Sequence, residues 1–213
     1  MKFCGLTRAA DAARAVSLGA AYLGVIFAGG PRLRTATEAR ALFNGIANAG
    51  SVRRVGVFGA QPAAEIVTIA AEAGLDVVQL HGESGPALVD ALRASFGGEV
   101  WRVARVRGAT HEGALREAAA GVDGLVVDAL VDGQLGGTGV TLDWNALARA
   151  LESARRPPRL ILAGGLNAAN VGEAVRLVSP DVVDVSSGVE SAPGIKDHER
   201  MRAFFSAAQG RAG

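Results

Sequence analysis

Residues 124–128 read Gly-Leu-Val-Val-Asp, a nearly continuous apolar run that ends in a carboxylate. A run of this kind is typical of a strand that is buried on both faces of a parallel sheet. Seven more short runs rich in valine, isoleucine and leucine are spread along the chain, and an amphipathic segment follows each of them. They cover residues 2–4, 22–27, 54–58, 77–80, 100–106, 160–163 and 182–185. Strands that alternate with helices in this way predict parallel strands joined by helices.

The spacing of the strand ends favours a closed barrel. From Cys4 to Ser186 the chain runs 182 residues in seven steps, or 26 residues per step, which is the size of one strand and one helix with short loops. We therefore predict an α/β fold with a single (β/α)8 TIM barrel domain over residues 1–213. The alternative is a doubly wound open sheet, but the glycine-rich fingerprint expected after its first strand is missing. Candidate helix N-caps are Thr7, Thr37, Asp143, Asn167 and Asp197.

The charge balance argues against nucleic acid as a partner. The chain has 22 lysines and arginines against 21 aspartates and glutamates, so no surplus of positive charge is available for a phosphate backbone. The longest uncharged run, 15–31, is shorter than the ~20 residues of a spanning helix, and we expect no membrane association. Charges at positions 8, 11 and 14 interrupt the region that a signal peptide needs, and one cysteine cannot form an internal disulfide. These features predict a cytoplasmic protein.

Cys4 and Asp128 are the candidates for proton transfer. Each comes at the end of a predicted strand, and TIM barrels carry their active sites at the carboxyl ends of the strands. For Cys4 the alternative is a small buried hydrophobic residue, and for Asp128 it is a turn or capping residue. Burial raises the pKa of a carboxyl group and suits it to donate a proton. We therefore predict that Asp128 is an acid placed across the barrel mouth from the thiol.

Small residues follow the last two predicted strands and predict a phosphate site. Exposed amides in glycine-rich turns can hold an anion without any lysine, and TIM barrels often bind phosphate at these two loops. The predicted contacts are Gly164, Gly165, Ser186, Ser187 and Gly188, with Gly137 of a second glycine-rich segment, 136–139, beside them. Ordinary turns, and a hinge at 136–139, are the alternatives.

Four polar residues are candidates for other substrate contacts. The pleat of a strand places Gln79 and His81 on one side, and Asp184 shares a side with Ser186 in the same way. Arg32 lies in the long second loop, where its guanidinium can form a forked contact with a carboxylate. A structural histidine and a solvated arginine are the alternatives for His81 and Arg32.

Several other kinds of site are not supported by the sequence. The three histidines at 81, 111 and 198 show no metal-ligand spacing, so we predict no metal site. Lysine occurs only at Lys2 and Lys196, which leaves few candidates for Schiff-base chemistry. Lys2 lies one pleat repeat below Cys4, a position inside the barrel but deeper than its rim.

Together these segments resemble the phosphoribosylanthranilate isomerase family over essentially the whole chain. The resemblance is carried by five segments in the family's order, namely Lys-Phe-Cys-Gly-Leu-Thr at 2–7, Val-Gln-Leu-His-Gly at 78–82, 136–139 with Asp143-Trp144, 163–167 and 184–190. It implies a phosphosugar substrate, N-(5-phosphoribosyl)anthranilate, and its Amadori rearrangement without a cofactor. It also implies that Cys4 is the general base, that Asp128 is the general acid, that Arg32 meets the anthranilate carboxylate and that Asp184 lies near the sugar.

The chain departs from the family pattern at three places. Phe3 stands where isoleucine or valine is usual, and Leu142 replaces a frequent phenylalanine. In the second loop a serine often precedes the arginine, which leaves the alignment of Arg32 open by one residue. Two other functions stay open, a histidine-pathway aminoaldose isomerase, against which Cys4 argues, and a catalytically silent phosphosugar-binding barrel. We expect a monomer or a weak homodimer, although outer helix faces do not distinguish these states.

Overall fold

The computed structural model describes residues 1–46, 50, 52–82, 84–106, 112–129, 144–153 and 157–210. Within them eight parallel strands form a closed barrel in chain order. The strands are β1 (Lys2–Phe3), β2 (Tyr22–Ile26), β3 (Arg53–Phe58), β4 (Val77–Leu80), β5 (Glu99–Val106), β6 (Gly124–Ala129), β7 (Leu160–Ala163) and β8 (Val182–Val185). β8 pairs with β1, with Lys2 opposite Asp184, and this pairing closes the sheet. The predicted TIM barrel is confirmed.

Eight α-helices in the described part of the chain pack around the barrel. They are α1 (Ala9–Ser17), α2 (Ala36–Asn44), α3 (Ala63–Ala73), α4 (Pro86–Ser95), α5 (Glu112–Ala118), α6 (Trp144–Ser153), α7 (Val171–Val178) and α8 (His198–Ala208). None of these eight has the length and apolar character needed to cross a membrane. A 3-10 turn (Ser187–Val189) and a short hairpin of β9 (Glu190–Ala192) and β10 (Ile195–Lys196) lie between β8 and α8. The sequence did not predict this hairpin.

The predicted strands agree with the structure to within one residue at each end. Most of the predicted N-cap residues, by contrast, do not occupy the N-cap position of their helix. The N-cap of α2 is Thr35, not Thr37, because Thr35 and Glu38 form a reciprocal capping box. Asp197 caps α8 as predicted and accepts hydrogen bonds from two amides of the first turn. The caps proposed at Thr7 and Asn167 are wrong, since the N-cap positions of α1 and α7 are Arg8 and Asn170. The remaining candidate, at position 143, lies outside the described residues.

Alternation along the strands decides which side chains face the barrel interior. In β4, Val77 packs inside the barrel, while Val78 and Leu80 pack outward against the helices. The interior floor consists of Tyr22, Val55, Val77, Trp101, Val126, Ile161, Ala163 and Val182. Each such side chain contributes about 1.5–3 kcal/mol when it is fully buried. These side chains fill the barrel interior, and Val126 and Ala163 among them also line the cavity at the carboxyl ends of the strands.

Candidate active site

A cavity of about 420 Å³ opens at the carboxyl ends of the strands. It brings together most of the residues that the sequence suggested. The lining includes Cys4, Gln79, His81, Asp128, Gly164, Gly165, Asp184, Ser186, Ser187 and Gly188. Gly137 and the segment 136–139 lie outside the described residues. Arg32 lies beside the cavity, at its rim.

Cys4 projects into the cavity from the end of β1. Its amide donates a hydrogen bond to the Val185 carbonyl at 2.9 Å, which continues the pairing with β8 one residue beyond the strand. The residue is only 7% exposed. Burial raises the pKa of the Cys4 thiol against the opposing charge of Lys2. The resting group is therefore a neutral thiol.

Asp128 and His81 lie on β6 and at the end of β4, and both line the cavity. Burial raises the pKa of the Asp128 carboxyl group, against the opposing charge of His81. Burial also lowers the pKa of His81, although Asp128 opposes this shift. Removal from water disfavours the charged form of either group. Burial therefore shifts the pKa values of this carboxyl group and of this imidazole in the direction that favours their neutral forms.

The loops after β7 and β8 approach each other closely at one edge of the cavity. Gly164 and Gly165 have φ values of 90° and 62°, in the left-handed region that favours glycine. A Cβ on Gly188 would lie 1.9 Å from the Leu166 carbonyl oxygen, so only glycine permits this contact between the loops. Ser186 Oγ is buried and has no hydrogen-bond partner among the described residues. It is available to a ligand that enters this edge.

Asp184 offers a second free acceptor in the cavity. Its Oδ2 accepts a hydrogen bond from Lys2 Nζ at 2.6 Å, whereas its buried Oδ1 has no partner in the described part of the protein. Lys2 Nζ also donates to Gln79 Oε1 at 2.9 Å. The oxygen atoms of Gln79 and Asp184 are therefore fixed from below by one ammonium group.

Arg32 is held at the rim by Glu190. Its Nε donates to Glu190 Oε1 at 2.8 Å and its Nη2 to Oε2 at 2.5 Å, a forked pair of the kind that arginine forms with carboxylates. The Arg32 side chain passes over Gly5, where a Cβ would lie 2.6 Å from Arg32 Cδ and 3.0 Å from Ser186 Oγ. The guanidinium is thus anchored next to Cys4 and the loop after β8.

Sequence reasoning missed the buried charges that support this rim. Glu190 Oε1 also accepts a hydrogen bond from Lys196 Nζ at 2.8 Å, and Lys196 Nζ donates to the Ser186 carbonyl at 3.1 Å. No local signal connects Arg32 with Glu190, because they are 158 residues apart and meet only through the β9–β10 hairpin. The scarcity of lysine was the one available clue, since Lys2 and Lys196 are both buried.

The chain is similar in sequence and in structure to one group of enzymes. The family model PRAI, N-(5'-phosphoribosyl)anthranilate (PRA) isomerase, matches residues 1–207. The N-(5'-phosphoribosyl)anthranilate isomerase of Roseiflexus sp. (strain RS-1) is 42% identical over 218 residues, which cover 100% of this chain and 98% of the relative. The crystal structure of phosphoribosyl anthranilate isomerase from Thermotoga maritima matches with a TM-score of 0.85 at 33% identity, over 98% of each chain. Another isomerase of this name, in complex with reduced 1-(o-carboxyphenylamino)-1-deoxyribulose 5-phosphate, matches with a TM-score of 0.82 at 31% identity, over 98% of this chain and 97% of its own.

Proposed function

The chain belongs to the N-(5'-phosphoribosyl)anthranilate isomerase family, and from this premise we propose how its residues divide the work of the reaction. The enzyme carries out an aldose–ketose rearrangement in tryptophan biosynthesis. N-(5-phosphoribosyl)anthranilate becomes 1-(2-carboxyphenylamino)-1-deoxyribulose 5-phosphate. The assignment of roles rests on one observation. The Cys4 thiol, the Asp128 carboxyl group and the loops after β7 and β8 all line the same cavity.

Asp128 is the general acid in this proposal. Opening the ribose ring requires a proton on the ring oxygen, which is otherwise a poor leaving group. Burial raises the pKa of Asp128, so the carboxyl group holds its proton more tightly than an exposed aspartate does. As the proton is transferred, the bond between C1 and the ring oxygen breaks and the anthranilate nitrogen forms a protonated imine with C1.

Cys4 is the general base. The imine cation acidifies the neighbouring carbon, C2, so that a base of moderate strength can remove its proton. Cys4 first loses its thiol proton to water, and the thiolate then takes the C2 proton. The electrons of the C–H bond form the C1–C2 double bond, and the π electrons of the C1–N bond neutralise the nitrogen. The resulting enolamine tautomerises to the ketone.

The two charged ends of the substrate have separate binding groups in this proposal. The amides of Gly164, Gly165, Ser187 and Gly188, together with the free hydroxyl of Ser186, bind the phosphate. Their support is the close contact of the two loops, which glycine alone permits, and the unpartnered Ser186 Oγ. Gly137 is proposed as a further contact.

Arg32 binds the anthranilate carboxylate from the rim, where Glu190 holds its guanidinium. Gln79, His81 and Asp184 contact the sugar between the two ends. The free Oδ1 of Asp184 supports this role, since it is positioned to accept a hydrogen bond from a sugar hydroxyl.

We further propose that residues 1–213 form one catalytic domain that works in the cytoplasm as a monomer or a weak homodimer. Support for the compartment comes from the single cysteine. Support for the homodimer comes from Thermotoga maritima, whose phosphoribosylanthranilate isomerase is described as dimeric.

The test is a fluorescence assay with freshly made N-(5-phosphoribosyl)anthranilate, in which loss of signal is followed above spontaneous hydrolysis. Cys4→Ala and Asp128→Asn should each lower kcat by about 10²–10⁴-fold, with unchanged circular dichroism. Asp90→Asn, on the exposed face of α4, is the matched control and should leave turnover unchanged. Near-normal turnover by Asp128→Asn would remove the proposed acid.

A further inference from the structure

Lys2 is a fully buried lysine directly below the catalytic thiol. It points into the barrel from β1, two residues before Cys4, so both side chains lie on the inner face of the sheet. Its ammonium group has three N–H donors. One donates to Gln79 Oε1 at 2.9 Å and one to Asp184 Oδ2 at 2.6 Å. Neither of these two oxygens uses the third.

The geometry around Gly24 brings this ammonium group close to the sulfur. Gly24 faces the interior from β2, and a Cβ there would lie 2.9 Å from Cys4 Sγ and 3.1 Å from Lys2 Cε. The sulfur and the last carbon of the lysine are therefore within about 6 Å of each other. The absence of a side chain at position 24 leaves this space to the two groups.

The charges around Cys4 are unequal in number. The cations are Lys2 from β1, Lys196 from β10 and Arg32 from the loop after β2, whereas the carboxylates are Asp184 from β8 and Glu190 from β9. Among these five groups the cations outnumber the carboxylates by one. Glu190 engages both Arg32 and Lys196, and in the proposed reaction the substrate carboxylate competes for Arg32. Lys2 is fully buried and is not among the residues that line the cavity.

We propose that Lys2 is the buried counter-ion of the Cys4 thiolate and thereby a positioning residue for the general base. This inference rests on the proposed role of Cys4. It agrees with the electrostatics, because the charge of Lys2 and its hydrogen bond to the sulfur both lower the pKa of Cys4, while burial and Asp184 raise it. Lys196 also lowers the pKa of Cys4, but its effect is smaller than that of Lys2. A purely structural Lys2 would only fill the barrel and satisfy Gln79 and Asp184.

The test measures the pKa of the thiol in the free protein, from the rate of alkylation by iodoacetamide as a function of pH. Cys4 is the only cysteine, so the label reports one site and needs no substrate. Lys2→Met alone is ambiguous, because it also leaves the buried Asp184 carboxylate near Cys4 without its cation. The informative pair is therefore Asp184→Asn against Lys2→Met/Asp184→Asn.

We expect the Cys4 pKa to rise by about one unit from the single to the double variant, so that alkylation well below the pKa slows about tenfold. Equal pKa values in these two proteins would overturn the proposal. If the double variant fails to fold by circular dichroism, Lys2→Gln in the same background makes the same comparison and keeps a hydrogen bond to Gln79. Because no turnover is measured, an error in the assignment of Cys4 as base shows separately in the activity of Cys4→Ala.

Discussion

Replacing Glu190 by glutamine tests whether the buried charge cluster holds the rim of the active site together. The Glu190 side chain is 4% exposed and is paired with Lys196, which is 0% exposed, and with Arg32, which is 21% exposed. Glutamine has nearly the same shape but no charge. It accepts through one oxygen, whereas the carboxylate accepts on both oxygens from the arginine fork and the ammonium group.

The expected cost follows from the burial of the cations left behind. Removing one partner of a buried ion pair destabilises a protein by roughly 3–5 kcal/mol, because the other charge stays buried without compensation. Burial lowers the pKa of Lys196, so this lysine can lose its proton when Glu190 is gone and so limit the cost. Arg32 keeps its charge but is partly exposed to water. We therefore expect Glu190→Gln to lower the free energy of unfolding by about 3 kcal/mol, at the low end of that range.

The assay is urea unfolding followed by circular dichroism, with the free energy of unfolding taken from linear extrapolation. The matched control is Glu112→Gln, which removes a carboxylate from an exposed pair with Arg116 on α5. Such a pair contributes less than about 0.5 kcal/mol. Arg32 and Lys196 hold the pKa of Glu190 below its ordinary value of 4.5. The Glu190 charge therefore contributes fully to the free energy of unfolding above pH 4.5, and this contribution disappears as the pH falls through the lower pKa of the folded state. The reasoning fails if Glu190→Gln costs no more than the control, or if its cost stays constant as the pH falls below 4.5.

Three further predictions concern the catalytic site. In the proposed reaction Cys4 must be deprotonated and Asp128 protonated, and burial raises the pKa of Cys4 from 9.0 and that of Asp128 from 3.8. Between the two pKa values, each gain of thiolate with rising pH is offset by an equal loss of protonated Asp128, so kcat/KM should change little there and fall on either side; an alkaline limb near neutral pH would contradict the assignment of Cys4. Gly188→Ala should raise KM and weaken competitive inhibition by inorganic phosphate at least tenfold. The new Cβ would lie 1.9 Å from the Leu166 carbonyl oxygen and push the loops after β7 and β8 apart. An unchanged inhibition constant would show that these loops do not bind phosphate. Gly24→Ala should lower kcat and also destabilise the fold by about 1–3 kcal/mol, since its Cβ would lie 2.9 Å from Cys4 Sγ. The control is Gly97→Ala at an exposed position before β5, where a Cβ meets nothing within 4 Å, and it should change kcat far less.

The sequence predicted the barrel and the inward residues because both depend on short-range pattern. Strand periodicity placed Gln79, His81 and Asp184 on inner faces, and the order of the strands brought their ends to one rim. The cap at Thr35 was also readable, since Glu38 follows it at the spacing of a capping box, and choosing Thr37 overlooked that partner. By contrast, the pairing of Arg32 with Glu190 depends on how the β9–β10 hairpin folds back toward the loop after β2. The periodicity of the sequence carries no information about such a contact.

Burial acts in the same sense on the proposed acid, the proposed base and the imidazole of this site. It disfavours the charged forms of Asp128, Cys4 and His81 alike, whereas Asp184 in the same cavity is paired with Lys2. A standing thiolate is the form that oxidants attack, and a protonated Cys4 is protected from them. In the proposed sequence, Asp128 gives up its proton and a cationic imine forms next to the carbon that Cys4 must deprotonate. The positive charge of this imine then adds to that of Lys2, and both favour the Cys4 thiolate at the step that removes the C2 proton. A buried cysteine with a raised pKa can therefore act as the base, because the charge of the intermediate adds to that of Lys2 when the thiolate is needed.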